Sequence, residues 1–148
     1  MIPAPNSTRP VLVAALGAGM LACAQEPQVG PEQPASVAAG TFGEIEARIL
    51  VPRCATSACH SGNPPANAPL SLDPGAGWAQ MVGVAASQLP SMRLVEPGDA
   101  EGSYLVLKLR GTAGLAGGTG TLMPPDAPLE AAEQAAIEGW ISSGALND

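Results

Sequence analysis

The stretch Cys54-Ala55-Thr56-Ser57-Ala58-Cys59-His60 does most to restrict what this chain can become. Two cysteines with a histidine directly after the second is the arrangement through which a haem is covalently attached. Each thiol adds to a haem vinyl group, and the adjacent imidazole meets the iron from one face. His60 is the only histidine in 148 residues, so no other imidazole competes for that role. The spacer between the cysteines is four residues where two is usual. Residues five apart on an unbroken helix point in different directions, so the segment has to bulge to bring both sulfurs to one porphyrin edge. Two other readings of the same residues stand beside this one. The first is a plain Cys54–Cys59 disulfide in an exported chain, with His60 a surface bystander. The second is a zinc site, which is disfavoured because zinc takes four protein ligands and this stretch offers three.

Composition narrows the choice. The chain has two tryptophans, one tyrosine and one phenylalanine, few large anchors for a core of this length. With 18 glycines and 16 prolines it suits short helices joined by long loops, a core into which a porphyrin would bring the missing bulk. The net charge is −7 and basic residues are scattered, so nucleic acid is excluded as a partner.

Residues 1–23 read as an export signal. Arg9 supplies the positive charge, and Val11 to Leu21 is an uninterrupted apolar and glycine run, too short to span a bilayer and of the length of a signal h-region. Met20-Leu21-Ala22-Cys23 resembles a lipobox, in which the cysteine is lipidated and becomes the new N-terminus. Lipidation of Cys23 leaves Cys54 and Cys59 as a pair; ordinary cleavage after Ala24 is the alternative. Residues 24–40 form a linker with Pro27, Pro31 and Pro34 and no apolar periodicity. Such a composition cannot bury enough surface to fold, and it would hold the domain 41–148 away from an anchor.

The domain begins with Thr41 and Glu44 as a capping box, followed by Phe42, Ile45 and Ile49 at helical spacing. Pro52 is expected to break this helix and deliver the chain to Cys54. Leu70 to Asp73 reads as a short extended piece, Gly75 to Val82 as a short helix, and Val84 to Pro97 as irregular chain. Asp99 is expected to cap a helix reaching Leu109. Residues 111–120 hold five glycines but lead into no Lys-Ser or Lys-Thr, so they read as a flexible loop without a nucleotide role. A last helix is expected over Leu129 to Ser142, with Trp140 at its crossing with the first helix and Gly144 as its C-cap.

An N-terminal helix running into Cys-x4-Cys-His, a loop-rich middle, Met123-Pro124, and a helix ending Trp-Ile-Ser-Ser-Gly-Ala resembles the class I cytochrome c family. The likeness is nearest to its bacterial exported members and runs from about Thr41 to Leu146. It implies an all-α fold, a small domain of three to five short helices joined by long Gly/Pro-rich loops. It also implies one haem c, with Cys54 and Cys59 in thioethers, His60 as the proximal iron ligand and Met123 as the distal one. A thioether is soft and neutral and raises the reduction potential, and Pro124 and Pro125 stiffen its loop. Met81 falls in a helical apolar pattern and reads as core; Met92 is the reserve ligand. Arg53 and Arg93 are within the range of residues that reach haem propionates, with a surface role as the default.

The function expected is electron transfer by an exported cytochrome, periplasmic or anchored at Cys23, with another redox protein as partner and no enzymatic turnover of its own. Two rivals differ in class. One is a five-coordinate haem sensor, if Met123 leaves the iron open. The other is a haem-free lipoprotein domain, stapled by Cys54–Cys59, that binds another protein.

Overall fold

The computed structural model describes residues 40–64, 66 and 69–148. The expected signal 1–23 with Cys23, and the linker up to residue 39, lie outside the described residues. Helix α1 starts as an α-helix at Phe42–Ile45, widens into a π-helix over Glu46–Leu50 and closes with an α-turn at Val51–Arg53. Helix α2 is Gly77–Met81, β1 is Ala85–Ala86, β2 is Leu89–Arg93, α3 is Tyr104–Arg110 and α4 is Ala131–Ser142. A 3₁₀ turn, Ala113–Ala116, follows α3.

The all-α expectation is therefore corrected. Four short helices share the fold with a two-stranded antiparallel sheet in the segment expected to be irregular. Ala85 pairs with Arg93 and Ala86 with Leu89, with a register shift between the two pairs. Bridges from Val82 to Val95 and from Arg93 to Ser103 extend the pairing at its base. What holds the hairpin is tertiary: Ala86 is buried with Tyr104 and Ala113, and Leu89, Met92 and Leu94 pack on them. Pro90 is tolerated because a two-stranded sheet leaves each strand an unpaired edge.

Helix α1 does not stop at Pro52. The Val51 N–H bonds to the Glu46 carbonyl, five residues back. A proline ring clashes with the carbonyl four residues before it, and the wider π turn moves that carbonyl aside, so the helix reaches Arg53. Thr41 caps it through its hydroxyl, which accepts from the Glu44 N–H at 3.2 Å. Asp148 satisfies two more N-terminal donors, the Phe42 N–H through its carboxylate at 2.8 Å and the Gly43 N–H through its carbonyl at 3.0 Å.

Helix α4 carries Ile137, Trp140 and Ile141 on its buried face, beneath a capping box of Glu130 and Glu133. It crosses α1 where the Phe42 and Trp140 rings lie 5.3 Å apart at 37°. The core around this crossing adds Ile45, Ile49, Leu50, Leu72, Met81, Val95, Val106, Leu109 and Leu129. Both indoles hold the chain after α4, Trp78 through the Ala145 carbonyl and Trp140 through that of Leu146, each at 2.8 Å. Asp99 does not cap α3. Its carboxylate accepts from the Gly102 N–H within a turn, and Ser103 precedes the helix. The fully buried Ser103 hydroxyl donates to the Asp99 carbonyl at 2.7 Å and accepts from the Glu96 N–H at 2.9 Å.

Candidate functional site

Helix α1 delivers the chain to Cys54, and the segment then folds back on itself. The Leu50 carbonyl accepts from the N–H groups of both Cys54 and Ala55 at 2.9 Å. The Cys54 carbonyl accepts from Thr56 at 2.9 Å and from His60 at 3.3 Å, while Thr56 accepts from Cys59. The four-residue spacer is thereby wound into turns that place His60 beside the end of α1. Both thiols are free and half-buried. Burial pushes the Cys54 thiol up to about 11, opposed by the Arg53 guanidinium and reinforced by Cys59 and Glu133.

His60 is held from the other side by the extended piece 70–72. Its carbonyl accepts from the Leu72 N–H at 2.7 Å, and its ring Nδ1 lies 2.9 Å from the Leu70 carbonyl. A carbonyl only accepts, so Nδ1 donates in this bond, and in the neutral ring that tautomer leaves the lone pair on Nε2. An imidazole oriented by a backbone carbonyl in this way is the usual second-shell support of an iron or zinc ligand. Asp73 tightens the same loop, accepting from the Ser61 hydroxyl at 2.6 Å, the Gly62 N–H at 2.9 Å and the Ser71 hydroxyl at 3.0 Å. These bonds, that from Ser61 foremost, hold its carboxyl below its ordinary value.

Met123 reaches the same region from a distant part of the chain. Its N–H bonds at 2.9 Å to the Lys108 carbonyl, which at the end of α3 also accepts from the Gly111 N–H at 3.3 Å. His60 and Met123 both line one cavity of about 380 Å³, whose apolar wall includes Leu70, Val84, Leu94 and Leu105. A mostly apolar cleft of this size with a few polar groups suits a small organic ligand or cofactor. Cys54 and Cys59 do not line it, though Cys59 directly precedes His60. The reserve ligand Met92 packs with Ala86, Tyr104 and Ala113 and is also absent from the lining. Met81 is fully buried in the main core.

The cavity's polar side includes Gln80, Ser87, Gln88, Tyr104 and Lys108, none of them expected as site residues from the sequence. The Tyr104 hydroxyl meets the Gln88 carbonyl oxygen at 3.0 Å and the Thr119 carbonyl at 3.2 Å. Lys108 donates to the same Thr119 carbonyl at 3.2 Å, and burial lowers its pKa. The glycine-rich loop forms the 3₁₀ turn and then closes on these residues. A Cβ on Gly118 would stand 2.7 Å from the Tyr104 ring, and one on Gly120 would stand 2.7 Å from the Lys108 nitrogen. The glycines thus serve close approach. A sequence signal for Lys108 did exist: it is the chain's one lysine and shares a helical stripe with Tyr104 and Leu105, at spacings of four and three.

Neither arginine faces the cavity. Arg93 pairs with Glu96 at 3.2 Å. Arg53 places one guanidinium nitrogen 3.2 Å from each Glu133 oxygen, and the other bonds to the carbonyls of Ala127 at 3.0 Å and Pro128 at 3.1 Å. It ties the end of α1, just before Cys54, to the chain just beyond Met123. Among the described residues no three His, Cys, Asp or Glu side chains gather as a metal site, and no helix is long and apolar enough to cross a membrane. Comparison of the chain with family models, with curated proteins and with solved structures found no match.

Proposed function

We propose that the chain is an exported c-type cytochrome carrying one haem, with iron held by His60 and Met123 and with Cys54 and Cys59 as the attachment thiols. The observation that carries this reading is that His60 and Met123, brought from opposite ends of the domain, line one apolar cavity. The residues suit the group. His60 has its Nε2 lone pair available because Nδ1 is engaged by the Leu70 carbonyl. Met123 has its backbone anchored by the Lys108 carbonyl while its side chain lines the cavity. Haem bound there supplies a one-electron ferric–ferrous couple. The chain's own part is to orient the imidazole, hold the thioether on a proline-stiffened loop and keep the surroundings apolar, which together set the potential. If His60 and Met123 both held the iron, no position would be left open for a substrate, and the reading is electron exchange with another redox protein. Export and lipidation at Cys23 belong to the same proposal.

The test is to export the full chain in a host with the cytochrome c maturation machinery. Haem stain that survives a denaturing gel and a low-spin spectrum in both oxidation states are the expected results. Met123→Ala should retain the stain and become high-spin, with a lower reduction potential. Absence of haem together with an intact Cys54–Cys59 disulfide by mass would overturn the proposal. A wild-type chain that is covalently loaded but high-spin would instead support the five-coordinate sensor.

A further inference from the structure

We propose that Lys108 is the anion-holding residue of the cavity, its ammonium paired with a carboxylate of the bound porphyrin. This rests on the haem reading above and adds to it the group that fixes the porphyrin's polar edge. Lys108 is the only lysine in the chain and is just 7% exposed. A lysine is rarely buried to that degree unless its charge is paired. Yet among the described residues no carboxylate forms an ion pair with it, and its one hydrogen-bond acceptor is the Thr119 carbonyl at 3.2 Å. An ammonium has three N–H donors, so Lys108 retains capacity for a further acceptor. It lines the cavity together with His60 and Met123, and no Asp or Glu is among the lining residues. Every arginine that forms an ion pair does so outside the cavity: Arg53 with Glu133, Arg93 with Glu96, and Arg110 with Glu101 and Glu138.

The surroundings hold this ammonium in place. The Gly120 backbone approaches so closely that a Cβ there would stand 2.7 Å from the lysine nitrogen. One helical turn earlier on α3, the Tyr104 hydroxyl shares the Thr119 carbonyl and meets the Gln88 side-chain oxygen at the cavity wall. The result is a buried lysine flanked by a phenol and an amide, in a cavity lined by no Asp or Glu. A carboxylate on the cavity's occupant completes that arrangement.

The experiment uses the full-length chain prepared without haem and titrated with iron(III) protoporphyrin and with its dimethyl ester. Wild type should bind the free acid at least tenfold more tightly than the ester. Lys108→Met should bind the acid at least tenfold more weakly and the ester about as wild type does, and Lys108→Arg should restore the preference for the acid. Thermal unfolding gives a second readout: without porphyrin Lys108→Met should melt no lower than wild type, because an uncompensated buried charge has been removed, and with porphyrin the order should reverse. Equal preference for acid and ester in wild type, or equal binding of the acid by wild type and Lys108→Met, would overturn the role of Lys108 and leave the haem reading standing. Failure of wild type to bind either porphyrin would overturn both.

Discussion

Arg53→Met should loosen the join between the two halves of the site. The guanidinium makes two charged hydrogen bonds to Glu133 and two bonds to the carbonyls of Ala127 and Pro128. Losing a hydrogen bond to a charged group costs about 1.5–3 kcal/mol where the partner is left buried and unsatisfied. That is not the situation here. The Arg53 and Glu133 side chains are 30% and 23% exposed, so water reaches both and the Coulombic part is screened. Glu133 also keeps the Glu130 N–H within its capping box, at 2.8 Å. A net loss of about 1–2 kcal/mol remains, which for a domain of this size lowers the melting temperature by about 4–15 °C. Circular dichroism melts and urea titrations of the full chain measure it, and the denaturant slope should stay unchanged. A double-mutant cycle with Glu133→Gln should return about 0.5–1 kcal/mol of coupling that shrinks in high salt. Arg53→Lys should recover little, since a single ammonium cannot span a carboxylate and two carbonyls. Stability of Arg53→Met within about 0.3 kcal/mol of wild type, or full recovery by Arg53→Lys, would refute the clamp.

Gly118→Ala should destabilise by about 1–3 kcal/mol, because its Cβ would meet both the Tyr104 ring and the Ala113 carbonyl. Gly114→Ala in the same loop meets nothing and should be neutral or stabilising by up to about 1 kcal/mol, as paired urea titrations will show. In the chain with free thiols, alkylation of Cys54 followed by mass spectrometry should accelerate about tenfold per pH unit towards its raised value of about 11. Because the folded pKa lies above the free thiol's 9.0, the stability Cys54 contributes is complete below pH 9.0 and lost as pH rises to about 11. Asp73→Asn should speed amide exchange in the loop after His60, where the carboxylate holds Ser61, Gly62 and Ser71. The carboxyl is held below 3.8, so in wild type this support is present at neutral pH and fades only as pH falls through that lowered value.

The parts of the fold that could be read in advance are those whose burial repeats at helical spacing. Phe42, Ile45 and Ile49 mark the inner face of α1, and Ile137, Trp140 and Ile141 that of α4. The end of α1 was misplaced because a π turn leaves no trace in such a pattern, and the rule that proline stops a helix assumes α geometry. The hairpin escaped notice because β1 is two alanines and β2 alternates poorly and contains Pro90. Its order comes from packing on Tyr104 and Ala113, which lie beyond it in sequence. The site divides along the same line. His60 is named by the Cys-x4-Cys-His motif and Met123 by the resemblance, and both line the cavity. The Leu70 carbonyl that orients His60 could not, since any residue carries a carbonyl. Lys108 is not legible as a site residue because a lysine on a short helix is normally solvated, and the glycine loop closing over α3 buries this one.

The scarce aromatics explain how a chain with so few large anchors holds together and where it leaves space. Phe42 and Trp140 sit at the α1–α4 crossing, and the Trp78 and Trp140 indoles fasten the chain after α4 by hydrogen bonds as well as by area. Three of the four aromatic residues therefore serve the crossing of α1 and α4 and the chain that follows α4. Tyr104 is left for the cavity, with its hydroxyl committed to Gln88 and Thr119. The rest of the apolar wall is aliphatic and includes Leu70, Val84, Leu94 and Leu105. The division places the aromatic crossing of α1 and α4 behind Cys54 and an aliphatic wall beside His60 and Met123.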